Sequence, residues 1–70
     1  MTAQELLRRL RKLARKRGLD LAVNASRGKG DHSRIILGEK VSYLPGMKGE
    51  IPNGTLRAIY RQLGIKDRDL

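Results

Sequence analysis

The chain contains a single histidine, His32, and it stands among cations and glycines. Imidazole has an ordinary pKa of about 6.5, so it can accept and donate protons near neutral pH. Nearby guanidinium and ammonium groups would attract a phosphodiester, and glycines would let backbone N–H groups approach its phosphate. The neighbours with these properties are Arg27, Gly28, Lys29, Gly30 and Arg34. The pattern favours acid–base catalysis on a phosphodiester, and the alternative is a surface histidine in a basic turn without a catalytic role.

The segment around His32 is predicted to be a turn that leads into a strand. Residues 26–31 form the turn, and the strand extends from His32 to about Leu37. Side chains alternate between the two faces of a strand, so Ile35 and Leu37 are expected on the core side. His32 and Arg34 then fall on the opposite, open face. This alternation argues against a buried structural histidine.

A helix is predicted over residues 3–17, because apolar side chains recur there at helical spacing. Thr2 and Glu5 form a capping box at its start, in which each side chain reaches the backbone amide of the other residue. Gly18 supplies the left-handed residue that ends it. The rest of the helix surface is basic, with Arg8, Arg9, Arg11, Lys12, Arg15 and Lys16. A solvated face is the favoured interpretation, and a phosphate-binding face is the alternative.

The remaining elements are predicted to be a first strand, a hairpin and a second helix. The first strand has alternating residues, with Leu19, Leu21, Val23 and Ala25 on one side. Gly38 and Glu39 form a two-residue turn into a third strand over residues 40–44. The last helix begins near residue 52, ends at Gly64, and has an apolar face formed by Leu56, Ile59, Tyr60 and Leu63. The fold class is therefore α+β, in the α-β-β-β-α order of the double-stranded-RNA-binding domain. An antiparallel sheet would carry both helices on one face.

The composition indicates one small domain, residues 1–70, that binds a polyanion. Sixteen Lys and Arg against seven Asp and Glu give a net charge of +9, and nucleic acid is the commonest partner of such a chain. There is no cysteine, so disulfides and thiolate metal sites are excluded, and no metal or small-molecule cofactor is expected. A membrane role is not expected, since no run approaches the roughly 18 apolar residues of a membrane span. A cytoplasmic location is expected because the N-terminus has no signal-peptide hydrophobic region.

Two segments resemble the HicA family of toxin–antitoxin ribonucleases. Gly30-Asp31-His32 is similar to the family's Gly-Ser-His, with Asp31 where the family usually has serine. Residues 51–65, Ile-Pro-Asn-Gly-Thr-Leu-Arg-Ala-Ile-Tyr-Arg-Gln-Leu-Gly-Ile, look like the family's Pro-x-Gly-Thr-Leu-x-x-Ile-x-x-Gln-x-Gly-Ile. The resemblance covers nearly the whole chain. It implies an endoribonuclease that cleaves mRNA, with His32 as the catalytic residue, and a HicB-type antitoxin protein as the partner that neutralises it.

Cleavage of RNA by such a chain would require no metal, because the 2′-hydroxyl of the substrate is the nucleophile. His32 would transfer protons, and the surrounding cations would stabilise the charge on the phosphorane. The sequence leaves the second proton-transfer group open between Tyr43, Lys29 and water. Two other functions also remain open at this stage: a non-catalytic RNA-binding module on the same fold, and a protein-interaction domain.

Overall fold

The described part of the chain folds as two α-helices and a three-stranded antiparallel sheet in the predicted α-β-β-β-α order. The computed structural model describes residues 1–25, 33–44 and 49–70. Its elements are α1 (Ala3–Arg17), β1 (Leu21–Ala25), β2 (Ser33–Leu37), β3 (Lys40–Leu44), α2 (Asn53–Leu63) and a terminal 3-10 turn (Asp67–Asp69). The prediction of a small α+β domain is confirmed.

Helix α1 has the bounds that its capping residues predict. The Thr2 hydroxyl accepts a hydrogen bond from the Glu5 N–H at 3.2 Å, and Gly18 ends the helix at a φ of 67°. The reciprocal half of the predicted capping box is wrong. The Glu5 carboxylate accepts a hydrogen bond from Arg9 at 3.1 Å, one helical turn further along. A charged partner at i+4 competes successfully for this carboxylate because side chains four residues apart are neighbours on a helix.

The prediction that Leu19 belongs to the first strand is also wrong. Strand β1 begins at Leu21, and Leu19 is 40% exposed. The Leu19 N–H donates to the Ala14 carbonyl at 2.8 Å, which completes the left-handed cap of α1. The Leu19 N–H therefore belongs to the helix end, and Leu21 and Val23 of β1 pack against the core.

The sheet has the order β1-β2-β3, and one of its faces is buried. Ser33, Ile35 and Leu37 of β2 are buried as the alternation predicts. They lie beside the buried residues of β3, Ser42 and Leu44. The β2–β3 turn is the predicted two-residue hairpin, and its register follows from that turn, since Leu37 pairs with Lys40.

Both helices contribute to one hydrophobic core on the buried face of the sheet. Leu6 and Leu10 of α1 are fully buried, and α2 adds the apolar face predicted for it. Helix α2 ends at Gly64, whose φ is 70°, as predicted. The core consists of Ala3, Leu6, Leu7, Leu10, Leu13, Ala14, Ile35, Leu37, Leu44, Ile51, Leu56, Ile59, Tyr60, Leu63 and Ile65.

The start of the chain is held against the segment that precedes α2. Thr2 forms an isolated antiparallel bridge with Glu50, and the Ile51 N–H donates to the Met1 carbonyl at 2.9 Å. These contacts fix the N-terminal end of α1 to residues 50 and 51, so the core is closed by contacts between parts of the chain far apart in sequence.

Candidate nucleic-acid interface

The face of the sheet opposite the helices carries a row of three exposed side chains, one from each strand. Asn24 of β1 is paired with Arg34 of β2, which is paired with Tyr43 of β3. Directly paired residues point to the same face of a sheet, with Cβ atoms about 4.5–5.5 Å apart. All three are exposed, and Tyr43 is 56% exposed. We call Asn24, Arg34 and Tyr43 the polar row.

The polar row is followed, one step nearer the hairpin on the same face, by an apolar row. Ala22 pairs with Ile36, and Ile36 pairs with Val41. Ala22 and Val41 are exposed, while Ile36 is half-buried. The hydrogen-bonding groups of this face therefore lie toward the end of the sheet where β2 begins.

Arg34 is the one predicted site residue that the described part of the chain contains. It is exposed on the open face, as the alternation predicts. The other predicted site residues, His32, Arg27, Gly28, Lys29 and Gly30, lie outside the described residues. Arg34 follows His32 by two positions in the sequence. The polar row is therefore the part of the candidate site whose geometry the structure gives.

The side chains of the polar row have the chemistry to hold a nucleotide. The planar guanidinium of Arg34 can donate two parallel hydrogen bonds to a phosphate. The exposed ring of Tyr43 offers a surface on which a base can stack. The Asn24 amide contains both donors and an acceptor. Together these three side chains can bind a phosphate and a neighbouring base of one nucleic-acid strand.

Only one of the two tyrosines is placed for such contacts. Tyr60 is 7% exposed within the core, where burial raises the pKa of its phenol and the Asp67 carboxylate raises it further. Its phenol therefore stays protonated at neutral pH. A single exposed tyrosine does not make a stacking platform for several bases.

The motif over residues 51–65 lies in the helical layer and builds the fold. Its apolar positions fill the core, and Gly64 occupies the left-handed cap of α2. Gln62 accepts a hydrogen bond from the buried Ser42 hydroxyl at 2.6 Å, which joins α2 to β3. These residues position β3, and through it Tyr43, without themselves reaching the open face.

The described residues contain no group of three or more His, Cys, Asp or Glu side chains that could hold a metal ion. Within the same part of the chain, no helix has the length and apolar character needed to cross a membrane.

Comparisons of the chain with models of protein families, with curated proteins and with solved structures find no match. The resemblance to the HicA family therefore depends on the two sequence motifs and on the order of the elements.

Proposed function

We propose that the chain is a metal-independent endoribonuclease toxin of the HicA type that cleaves mRNA. The observation that carries the proposal is the pairing of exposed Arg34 with exposed Tyr43 on the sheet face away from the helices. Arg34 follows His32 by two positions in the sequence, and the β2–β3 register brings Tyr43 beside Arg34. The segments 30–32 and 51–65 both resemble motifs of the family. The net charge of +9 further supports a polyanionic substrate.

The proposed reaction is attack of a ribose 2′-oxygen on the adjacent phosphorus. His32 takes the 2′-hydroxyl proton as the new P–O bond forms, and Arg34 donates hydrogen bonds to the charged oxygens of the phosphorane. The bond to the 5′-oxygen then breaks, and that oxygen receives a proton from Tyr43, Lys29 or water. The products are a 2′,3′-cyclic phosphate and a 5′-hydroxyl, so protons and charge balance without a metal or any other co-reactant.

We further propose a HicB-type antitoxin as the neutralising partner and the cytoplasm as the site of action. An acidic protein that covers the polar row would exclude RNA from Arg34, because both ligands would compete for the same guanidinium. The open sheet face, which neither helix covers, is the surface that such a partner would occupy.

The test is cleavage of a transcript by the purified protein in EDTA. We expect wild-type protein to cut, and His32→Ala to lose about 10²- to 10⁴-fold in rate while it still binds RNA. Arg34→Gln should lose about 10²- to 10³-fold in kcat, as expected when one donor to a developing oxyanion is removed. Arg57→Gln on α2 serves as the charge-matched control, since Arg57 is exposed and lies in the helical layer. Circular dichroism verifies that each variant is folded.

A non-catalytic RNA-binding module is the second candidate, and the polar row also supports it because Arg34 and Tyr43 can bind RNA without cutting it. In that case wild type and His32→Ala bind equally and neither cleaves. If neither protein binds RNA, a protein-interaction domain becomes the better proposal.

A further inference from the structure

The solvent side of α1 carries a continuous row of cations. Its members lie on the side of the helix away from the buried residues Leu6 and Leu10, and every member is exposed. At 1.5 Å per residue the 15-residue helix is about 22 Å long, and the row extends along it from Arg8 to Lys16. We call this set the α1 cationic row: Arg8, Arg11, Lys12, Arg15 and Lys16.

The charges of the α1 cationic row are not neutralised within the described part of the chain. The two acidic residues that pair with α1 take cations outside the row: Glu5 pairs with Arg9 at 3.1 Å, and Asp69 pairs with Arg17 at 3.3 Å. Members of the row form no ion pair with another described residue. Like charges four residues apart destabilise a helix, and the row contains several such pairs: Arg8–Lys12, Arg11–Arg15 and Lys12–Lys16.

Concave surfaces flank the row on both sides. One depression, of about 350 Å³, lies between α1 and the C-terminal residues. Its charged lining residues are Arg8, Arg9, Lys12, Lys16 and Asp69, and the Asp69 carboxylate is paired with Arg17. The other, of about 760 Å³, lies near the start of the helix. Its charged lining residues are Arg8, Arg11 and Glu5, and the Glu5 carboxylate is paired with Arg9. Arg8 belongs to both depressions, so anionic groups seated in either would contact the row.

The burial of α1 argues against an anionic membrane as the ligand of this row. A helix that lies on a bilayer inserts an apolar face into it. In α1 the apolar residues face the protein core, with Leu6 and Leu10 at 0% exposure and Leu13 at 4%. The row therefore offers charge without an apolar face, as expected of a surface that follows a phosphate backbone.

We propose that the α1 cationic row is a second RNA contact, which binds backbone phosphates without reading sequence. The helices cover one face of the sheet and the polar row lies on the other, so the two surfaces are on opposite sides of the molecule. The row then retains a long transcript while the sheet face acts on one segment of it. The inference rests on the proposal that RNA is the ligand, and it does not require that the chain cleaves RNA.

The test compares two matched pairs of substitutions in the His32→Ala chain. Arg8→Gln/Arg15→Gln removes two cations from the row, and Arg57→Gln/Arg61→Gln removes two exposed arginines from α2. Arg15 and Arg61 each lie in the last turn of their helix, so the change in helix-dipole interaction is matched. The probe is a fluorescently labelled single-stranded oligouridine, and its Kd is measured over a range of salt concentrations.

The α1 pair should reduce the slope of log K against log salt by about 1.4, because each phosphate contact to a single strand contributes about 0.7. At 0.1 M salt this corresponds to a Kd raised about 25-fold, and the α2 pair should change Kd by less than about twofold. With the active chain, the α1 pair should raise KM for a long transcript and leave kcat for a short oligonucleotide unchanged.

Three outcomes would overturn the inference. An equal rise in Kd for the α1 and the α2 pair would mean that RNA affinity depends only on net charge. An unchanged Kd in the α1 pair would mean that the row does not contact RNA. If the α1 pair loses binding to phosphatidylglycerol vesicles while its Kd for RNA is unchanged, the ligand of the row is a lipid surface. If the wild-type chain binds RNA but never cuts it, while the α1 pair shows the expected loss, the proposed nuclease activity fails and the inference stands.

Discussion

The hydrogen bond between Ser42 and Gln62 should make truncation of Gln62 much more costly than truncation of Ser42. The Ser42 side chain is fully buried, and its hydroxyl donates to the Gln62 amide oxygen at 2.6 Å. Gln62 itself is an exposed residue. Gln62→Ala therefore leaves a buried hydroxyl without its partner, whereas Ser42→Ala leaves an amide that can turn to water.

The expected magnitudes follow from this asymmetry. A buried donor without a partner costs about 1–3 kcal/mol, so Gln62→Ala should lower the free energy of unfolding by about 2 kcal/mol. Ser42→Ala removes the buried hydroxyl together with its bond and should cost less than about 1 kcal/mol. The double variant should be about as stable as Ser42→Ala, because both partners are removed and no buried hydroxyl is left without a hydrogen bond. For a domain of this size each kcal/mol shifts Tm by about 4–8 °C.

Urea denaturation followed by circular dichroism measures all three variants. Arg61→Ala is the control, because it truncates a neighbouring exposed side chain of α2 and should change stability by less than about 0.5 kcal/mol. Equal losses in Ser42→Ala and Gln62→Ala would refute the reasoning. That result would mean that water reaches the Ser42 hydroxyl once the glutamine is gone.

Two further perturbations have outcomes set by backbone conformation and by pH. Gly64→Ala should lower the free energy of unfolding by about 1–2 kcal/mol, because φ is 70° at this position. Gly54→Ala should raise it by up to about 1 kcal/mol, because Gly54 lies in α2 without a positive φ and no atom lies within 4 Å of an added Cβ. Thermal unfolding measures the Tm of both variants, and equal changes in Tm would contradict the left-handed conformation of Gly64. The pKa of the Asp69 carboxyl is lowered, first by the hydrogen bond from the Lys66 N–H and also by Arg17. A lowered carboxyl pKa stabilises the fold above pH about 4, and this contribution disappears as the pH falls through the folded-state value. As the pH is lowered, the free energy of unfolding should fall less in Asp69→Asn than in wild type. Identical dependence on pH in the two proteins would contradict the hydrogen bond between the Lys66 N–H and the Asp69 carboxylate.

The helix ends and the hairpin are predictable because the signals that define them are local. Thr2 and Gly18 bound α1, and Gly64 ends α2, in each case through contacts within a few residues. Alternation alone places Leu19 in the first strand, because it does not reveal that the Leu19 N–H closes the cap of α1. The left-handed Gly18 predicted from the sequence is the signal for this hydrogen bond, since such a cap turns the next N–H back to a helix carbonyl.

The polar row is predictable in part. A two-residue turn at Gly38 and Glu39 fixes the β2–β3 register, and this register pairs Arg34 with Tyr43. The position of Asn24 depends on the β1–β2 register, which the longer connection over residues 26–32 leaves undetermined in the sequence. Tyr43 could therefore have been placed beside Arg34 from the pattern, and Asn24 could not.

The contact of the chain's first residues with Glu50 and Ile51 has a consequence for the order of folding during synthesis. Residues 1–44 leave the ribosome before α2, yet Ile51, Leu56, Ile59, Leu63 and Ile65 complete the core that α1 requires. A helix of 15 residues is marginal in water by itself. The nascent chain therefore keeps an incomplete core until α2 has left the ribosome, and the open sheet face reaches its final geometry only after that.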